Sequence, residues 1–140
     1  MTDAPTDPVS LFSVEGKVAI VTGATGAFGA VAAETLASAG ARLVLAAGKA
    51  KELAAIADAC RKRGAEVEAV ASRPSSETAC DAIVQKAVER FSRVDILVVA
   101  SGKNDVSRIV DMSPERFNQF LAQEVAQDRK IVADLPMEKQ

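Results

Sequence analysis

The sequence predicts an α/β protein whose strands form a parallel sheet. Four short apolar segments alternate with four segments in which apolar residues recur at helical spacing. This alternation is typical of right-handed strand–helix–strand units with helices on both faces of the sheet. A glycine-rich segment, residues 22–29, directly follows the first apolar run and predicts a tight turn from strand to helix. Because 49% of the residues are hydrophobic but only 4% are aromatic, we expect an aliphatic core.

The first half of the pattern contains two strands and two helices. The strands are predicted at residues 18–21 and 42–46. The helices that follow them are expected to end at Gly40 and Gly64, because glycine is a common C-terminal stop. The predicted apolar face of the first helix consists of Val31, Ala32, Leu36 and Ala39. That of the second helix consists of Leu53, Ile56, Ala57 and Cys60.

The second half repeats the pattern. Residues 66–71 alternate weakly and predict the third strand, and residues 94–100 form the strongest strand segment. Either Ser75 or Ser76 can cap the third helix, and Ser113 is predicted to cap a fourth helix with Pro114 at its first position. The apolar stripe of the third helix consists of Ala79, Ile83, Ala87 and Phe91. That of the fourth helix consists of Phe117, Phe120, Leu121 and Val125.

The glycine-rich segment carries the clearest functional signal. Residues 22–29 read Thr-Gly-Ala-Thr-Gly-Ala-Phe-Gly and join a buried strand to a helix. In such a turn the backbone N–H groups can approach a phosphate, and the helix N-terminus adds a partial positive charge. The segment therefore predicts a site for the pyrophosphate of a dinucleotide. A tight turn that binds nothing is the alternative.

The predicted strand order is 3-2-1-4, a Rossmann-like doubly wound parallel sheet that is truncated after about four strands. Strand four is very apolar but lies at the edge of this sheet, where its backbone groups have no neighbour. We expect the edge to bind a second copy of the chain or a missing C-terminal half. The sequence predicts a flexible N-terminal segment at 1–10, an incomplete nucleotide-binding domain at 11–126 and a C-terminal tail at 127–140.

Charge and composition argue against several functions. The net charge of −2 gives no electrostatic reason to expect nucleic acid or an anionic membrane as a partner. No apolar run approaches the roughly 20 residues that cross a bilayer. The first eight residues are acidic and proline-rich, unlike a signal peptide, so we expect a cytoplasmic protein. Cys60 and Cys80 match no metal motif, so we expect reduced, buried thiols and no metal.

Three segments in register resemble the short-chain dehydrogenase/reductase family. They are residues 12–23 (FSVEGKVAIVTG), 89–98 (ERFSRVDILV) and 112–117 (MSPERF), and the likeness extends over about residues 11–126. The resemblance implies a Rossmann-type domain that binds NAD(P) as part of an oxidoreductase. The cofactor-binding candidates that it implies are Thr22, Gly23, Thr25, Gly26, Ala27, Phe28, Gly29, Ala47, Lys49, Arg73, Ala100 and Gly102.

The chain departs from the family pattern at several of these candidates. The middle glycine of the family's turn falls on Ala27, with Gly26 one position early. The acidic residue that holds the ribose in NAD-specific members falls on Ala47, while Lys49 and Lys51 close by suit a 2′-phosphate, which favours NADP slightly. The alternative is that both lysines are solvated residues in the first turn of the second helix. Arg73 replaces the Asp that accepts from the adenine amino group. Weak cofactor binding is therefore expected.

Ala100 and Gly102 stand in the segment that follows strand four. Where the family has N-N-A-G, residues 99–102 read Val-Ala-Ser-Gly and keep only the glycine. Gly102 is expected to let the backbone pass near the nicotinamide ribose.

No catalytic residue is assigned. The chain contains no Tyr and no His, and the family's Ser and Y-x-x-x-K fall beyond residue 140. Tyrosine is the proton donor or acceptor of the family's reaction, and a nearby lysine lowers its pKa. The sequence thus predicts the NAD(P)-binding portion of an oxidoreductase that is inactive by itself. The alternatives are a non-catalytic nucleotide-binding or regulatory module and a degenerate, self-associating fragment.

Overall fold

The computed structural model of the chain describes residues 8–102 and 109–134. The chain divides into two compact units, with the boundary after Gly102. The first unit contains a short 3-10 helix at Pro8–Phe12, a sheet and three helices. The second contains a 3-10 turn at Ile109–Asp111 and one long helix.

The sheet has four parallel strands: β1 (Val18–Thr22), β2 (Arg42–Ala46), β3 (Val67–Val70) and β4 (Ile96–Val99). Their order is β3-β2-β1-β4, which confirms the predicted doubly wound topology. The strands alternate with α1 (Ala27–Ser38), α2 (Ala50–Lys62) and α3 (Glu77–Phe91). All four predicted strands are present, although β3 and β4 are each shorter than the apolar segments that contain them.

The two faces of the sheet are covered by different helices. On one face, alternate residues of β1 and β2 pack with α1 and α2 into a fully buried cluster that includes Leu43 and Leu53. On the other face, Ile20 and Val44 pack against Ile83 and Phe91 of α3. Because every residue of β1 is buried, its carboxyl end is fixed from both sides.

The buried face of α1 differs from the one that hydropathy predicted. Val31 is 66% exposed and Ala39 is also exposed, whereas Ala33 and Ala37 are buried. Together with Gly29, these two alanines form a row at four-residue spacing, and so lie on one side of the helix. Small residues in this row allow α1 to pack closely against the sheet. Leu36 of the predicted face is half-buried and packs against the same cluster, so hydropathy predicted the face only in part.

The third helix follows the prediction in most respects. Ser76 rather than Ser75 is its N-cap, and the Ser76 hydroxyl accepts a hydrogen bond from the N–H of Ala79 at 3.2 Å. Ile83, Ala87 and Phe91 are buried as expected. Cys80, however, is exposed, and only Cys60 on α2 is buried. The prediction of two buried thiols was wrong for Cys80, because the residue lies outside the stripe that contacts the sheet.

In the second unit, α4 spans Pro114–Asp134. Ser113 caps it as predicted, since its hydroxyl accepts from the N–H of Arg116 at 3.3 Å. The helix continues through residues 127–134, further than the apolar pattern indicated, because these residues contain neither glycine nor proline. The rest of the predicted tail and residues 1–7 of the N-terminal segment lie outside the described residues. The regional boundaries remain predictions.

Asp95, just before β4, links the start of this strand to β1 by hydrogen bonds. Its carboxylate accepts a hydrogen bond of 2.8 Å from the backbone N–H of Val18 and one of 3.0 Å from Nε of Arg93. Its own backbone N–H donates to the carbonyl of Val18 at 2.9 Å. The Val18 N–H and the Arg93 guanidinium hold the pKa of the Asp95 carboxyl below its ordinary value of 3.8. The ionised form is therefore the one that stabilises the fold.

Replacing Asp95 with Asn is expected to lower the free energy of unfolding at neutral pH. Since the pKa of Asp95 is lower in the folded state, its ionic contribution is fully present above the unfolded pKa and is lost as the pH falls through the folded pKa. The difference between wild type and D95N should thus shrink in acid. Urea unfolding at several pH values measures this, with the exposed Asp81→Asn on α3 as control. An equal loss at every pH would contradict the ionic role.

Candidate functional site

The site is built around the junction between β1 and α1. Gly23, the first residue after β1, has φ of +67°, a left-handed conformation that glycine adopts without strain. A Cβ atom at this position would overlap the carbonyl of Ala100 and would lie 2.7 Å from the backbone nitrogen of Ser101. Residue 23 must therefore be glycine for the chain that follows β4 to pass this close.

A second close approach holds the turn against its own helix. A Cβ on Gly29 would overlap the carbonyl oxygen of Gly23 and would lie 2.9 Å from the Cα of Ala24. Gly26 closes the turn by donating its N–H to the Gly23 carbonyl at 2.9 Å. Two glycines in contact thus bring the first turn of α1 directly over the end of β1.

The amino end of α1 is left without a side-chain cap. Gly26 is the N-cap residue in an extended conformation, and no side chain there accepts a hydrogen bond. The N–H groups of Ala27, Phe28 and Gly29 have no carbonyl one turn earlier within the helix. These donors and the positive end of the helix dipole face the same edge of the sheet, an arrangement that suits an anion.

The other side chains of the turn differ in exposure. Thr25 is half-buried, whereas Ala27 is exposed and the Phe28 ring is 88% exposed. Thr22 is buried, and its hydroxyl is joined to that of Ser101 by a hydrogen bond of 3.0 Å. This bond connects the carboxyl ends of β1 and β4. Sequence reasoning did not assign a role to Ser101, because a pairing between residues 79 positions apart has no local signal.

The chain after β4 runs beside the turn. The N–H of Ala100 donates to the carbonyl of Thr22 at 3.1 Å, and the Ala100 carbonyl lies against Gly23. Gly102 is exposed, and a Cβ there would meet nothing within 4 Å. Ala100 therefore belongs to the junction through its backbone. Gly102 has open space around it, so its conformation does not depend on close packing.

The carboxyl end of β2 forms the other side of the site. Ala47 is buried, and its N–H donates to the carbonyl of Val70 at 3.3 Å, which joins the ends of β2 and β3. The Arg73 side chain lies across the neighbouring Gly48, where an added Cβ would lie 2.8 Å from Cγ of Arg73. Lys49 is the N-cap residue of α2, is largely exposed and pairs with Glu52 at 3.2 Å.

Most of the candidate residues thus meet at one edge of the sheet. The turn at 22–29, Ala47, Lys49, Arg73 and Ala100 all follow the carboxyl ends of parallel strands, where ligands bind in doubly wound folds. The two charged residues among these candidates, Lys49 and Arg73, are both cations. Within residues 8–102 and 109–134, no three metal-ligating side chains come together. None of the described helices has both the length and the apolar composition to cross a bilayer.

The sequence of this chain is similar to those of known oxidoreductases. Residues 17–126 match the family model described as short chain dehydrogenase. An uncharacterized oxidoreductase of Mycobacterium tuberculosis is 42% identical over 110 residues, which cover 79% of this chain and 40% of that protein. The chain spans about 40% of the length of this curated relative.

Solved structures of dehydrogenases and reductases are also similar to this chain. L-sorbose reductase from Gluconobacter frateurii, complexed with NADPH and L-sorbose, is similar with a TM-score of 0.67 and 31% identity, over 75% of this chain and 40% of that one. A 7α-hydroxysteroid dehydrogenase complexed with NADH and 7-oxo glycochenodeoxycholic acid is similar with a TM-score of 0.67 and 30% identity, over 75% of this chain and 41% of that one.

The matched region begins at β1 and extends into α4, so it includes the glycine-rich turn and all four strands. Proteins of this family bind a nicotinamide dinucleotide. The chain belongs to the short-chain dehydrogenase/reductase family and corresponds to the nucleotide-binding portion of that fold.

Proposed function

We propose that this chain binds NAD(P) at the turn between β1 and α1. The observation that carries the proposal is the contact between Gly29 and the Gly23 carbonyl, which leaves the uncapped amino end of α1 at the carboxyl edge of the sheet. The pyrophosphate would accept hydrogen bonds from the N–H groups of Ala27, Phe28 and Gly29. Thr22 and Thr25 would support the turn, and Ala100 and Gly102 would flank the nicotinamide ribose.

The adenosine end of the cofactor would lie beyond Ala47. This position has a methyl group where NAD-specific members have a carboxylate, so a ribose 2′-hydroxyl loses its usual acceptor. Lys49 adds a positive charge beside it, although Glu52 competes for that charge. These features favour NADP slightly over NAD.

We propose weak binding, with a Kd between high micromolar and millimolar, about −4 to −6 kcal/mol. The donors of the turn favour the pyrophosphate, whereas the acceptors for the ribose and the adenine are replaced. Losing each such hydrogen bond costs about 1 kcal/mol. The methyl group of Ala27, which is exposed at the start of α1, would also crowd the pyrophosphate.

Replacing Ala27 with Gly is expected to tighten NADPH binding about fivefold or more, since relieving an overpacked contact is worth about 1–3 kcal/mol. Titration followed by the fluorescence of the reduced nicotinamide measures the affinity. Ala30→Gly, further along α1, introduces a glycine into the same helix without the proposed contact and serves as control. Equal affinities of wild type and A27G for NADPH would show that the Ala27 methyl group does not crowd the pyrophosphate. No saturable binding of either NADPH or NADH by the wild type would refute the proposed function.

We further propose that the whole protein is an oxidoreductase of this family and that these 140 residues are inactive alone. They contain no Tyr or His to transfer the proton that must accompany hydride transfer. Carbonyl-dependent oxidation of NADPH by the purified chain is expected to be undetectable. Steady turnover in a preparation free of full-length reductases would overturn this expectation. A cytoplasmic location is part of the proposal, and the two free thiols suit a reducing compartment.

A second candidate function is association through β4. In the described part of the chain no strand pairs with the outer side of β4, and Leu97 and Val99 are 61% and 68% exposed. An apolar edge with unpaired backbone groups is a template for a further strand. The occupant would be a second copy of the chain or the remaining portion of the family's fold.

Replacing Val99 with Lys is expected to shift the chain toward smaller species, because a charge on this edge opposes strand pairing. Size-exclusion chromatography with light scattering measures the mass. Val31→Lys on α1 is the matched control, because Val31 is 66% exposed and lies on a helix rather than at the edge. A monodisperse wild-type monomer at high concentration would contradict the proposal, as would an equal effect of V31K.

A further inference from the structure

The contact between Arg73 and Gly48 places an arginine over the end of β2. A Cβ on Gly48 would lie 2.8 Å from Cγ and 3.1 Å from Cδ of Arg73, and it would overlap Nε. Only a residue without a side chain leaves room for this position of the guanidinium stem. Arg73 itself comes from the segment after β3, whose end is joined to Ala47 by the hydrogen bond to Val70. The Arg73 side chain thus lies beside β2, although the residue follows β3.

The charge of Arg73 is not neutralised within the described part of the chain. Four other arginines of the first unit pair with carboxylates: Arg61 with Asp58, Arg63 with Glu34, Arg90 with Glu66 and Arg93 with Asp95. Arg42 donates instead to the carbonyl of Gly16. No carboxylate among the described residues forms such a pair with Arg73. Its N–H donors are therefore available to an anion from solution.

The location of this cation determines which anion it would meet. Gly48 follows Ala47, at the end of β2 where the adenosine ribose of a dinucleotide would lie. Lys49 is nearby but pairs with Glu52. A guanidinium also matches a phosphate better than an ammonium does, because its planar fork can donate two hydrogen bonds at once.

We propose that Arg73 determines cofactor specificity by binding the 2′-phosphate of NADP(H), and that Gly48 positions it. This inference rests on the proposed function, because the 2′-phosphate reaches Arg73 only if the pyrophosphate lies at the turn. The preference for NADP that was argued above rests on Ala47 and Lys49, at the end of β2. In this inference the residue that selects NADP is Arg73, which follows β3. Arg73 then provides a donor to the ribose phosphate in place of an acceptor for the adenine.

Two variants test the proposal by different routes. Arg73→Gln removes the charge and keeps much of the length, whereas Gly48→Ala keeps the charge and displaces the side chain. Each is expected to weaken NADPH binding about tenfold or more and to change NADH binding less than about twofold. Lys62→Gln, which removes an exposed cation from the last turn of α2, at the other end of the helix from the site, should change neither affinity by more than about twofold.

Binding of NADPH and NADH is measured by the fluorescence of the reduced nicotinamide. Competition experiments then compare how well 2′,5′-ADP and 5′-ADP displace bound NADPH. 2′,5′-ADP should displace NADPH better than 5′-ADP from the wild type, and R73Q should abolish the difference. Thermal unfolding of each variant checks the fold, and if G48A does not fold, R73Q alone decides. An equal loss of NADPH and NADH affinity in R73Q, no loss of either, or tighter binding of both would overturn the role of Arg73. Failure of the wild type to bind either nucleotide would refute the proposed function and this inference together.

Discussion

The contact between Gly29 and the carbonyl of Gly23 is the constraint on which the site depends. No side chain fits between the first turn of α1 and the end of β1, so the helix begins directly over the strand. The same closeness continues along the row formed by Gly29, Ala33 and Ala37, which sets how α1 packs on the sheet. Gly23 in turn packs against the carbonyl of Ala100. One small-residue junction thus fixes the positions of β1, α1 and the chain after β4.

Much of this fold could be predicted from the sequence because its signals are local. Alternating apolar runs and helical periodicity predicted the four parallel strands and their order, and Ser113 with Pro114 predicted the start of α4. The buried face of α1 could be predicted from hydropathy only in part, because Leu36 packs against the core but Val31 does not. Val31 is more apolar than Ala33, but the close approach at Gly29 decides the face, and this contact exists only in the folded chain.

In the candidate site, too, the local features could be predicted from the sequence and the contacts between distant residues could not. The glycine-rich turn has a sequence signature, and Gly23 and Gly29 make close contacts that leave no room for a side chain, whereas Ala27 stands where the family's middle glycine falls. The bond between Thr22 and Ser101 and the packing of Arg73 over Gly48 join residues far apart in sequence. Such contacts carry no periodic or compositional signal. Sequence reasoning could name Arg73 as a departure from the family pattern, whereas its position beside β2 required the structure.

The central claim, that the amino end of α1 binds a dinucleotide pyrophosphate, is tested most directly by NMR titration of the 15N-labelled chain with NADPH. Saturable shifts of the amide signals of Ala27, Phe28 and Gly29 are expected, with one Kd between high micromolar and millimolar. Weaker shifts should appear near Ala47 and Gly102. Unchanged amide signals at residues 27–29, at millimolar NADPH and with the chain folded, would contradict this claim.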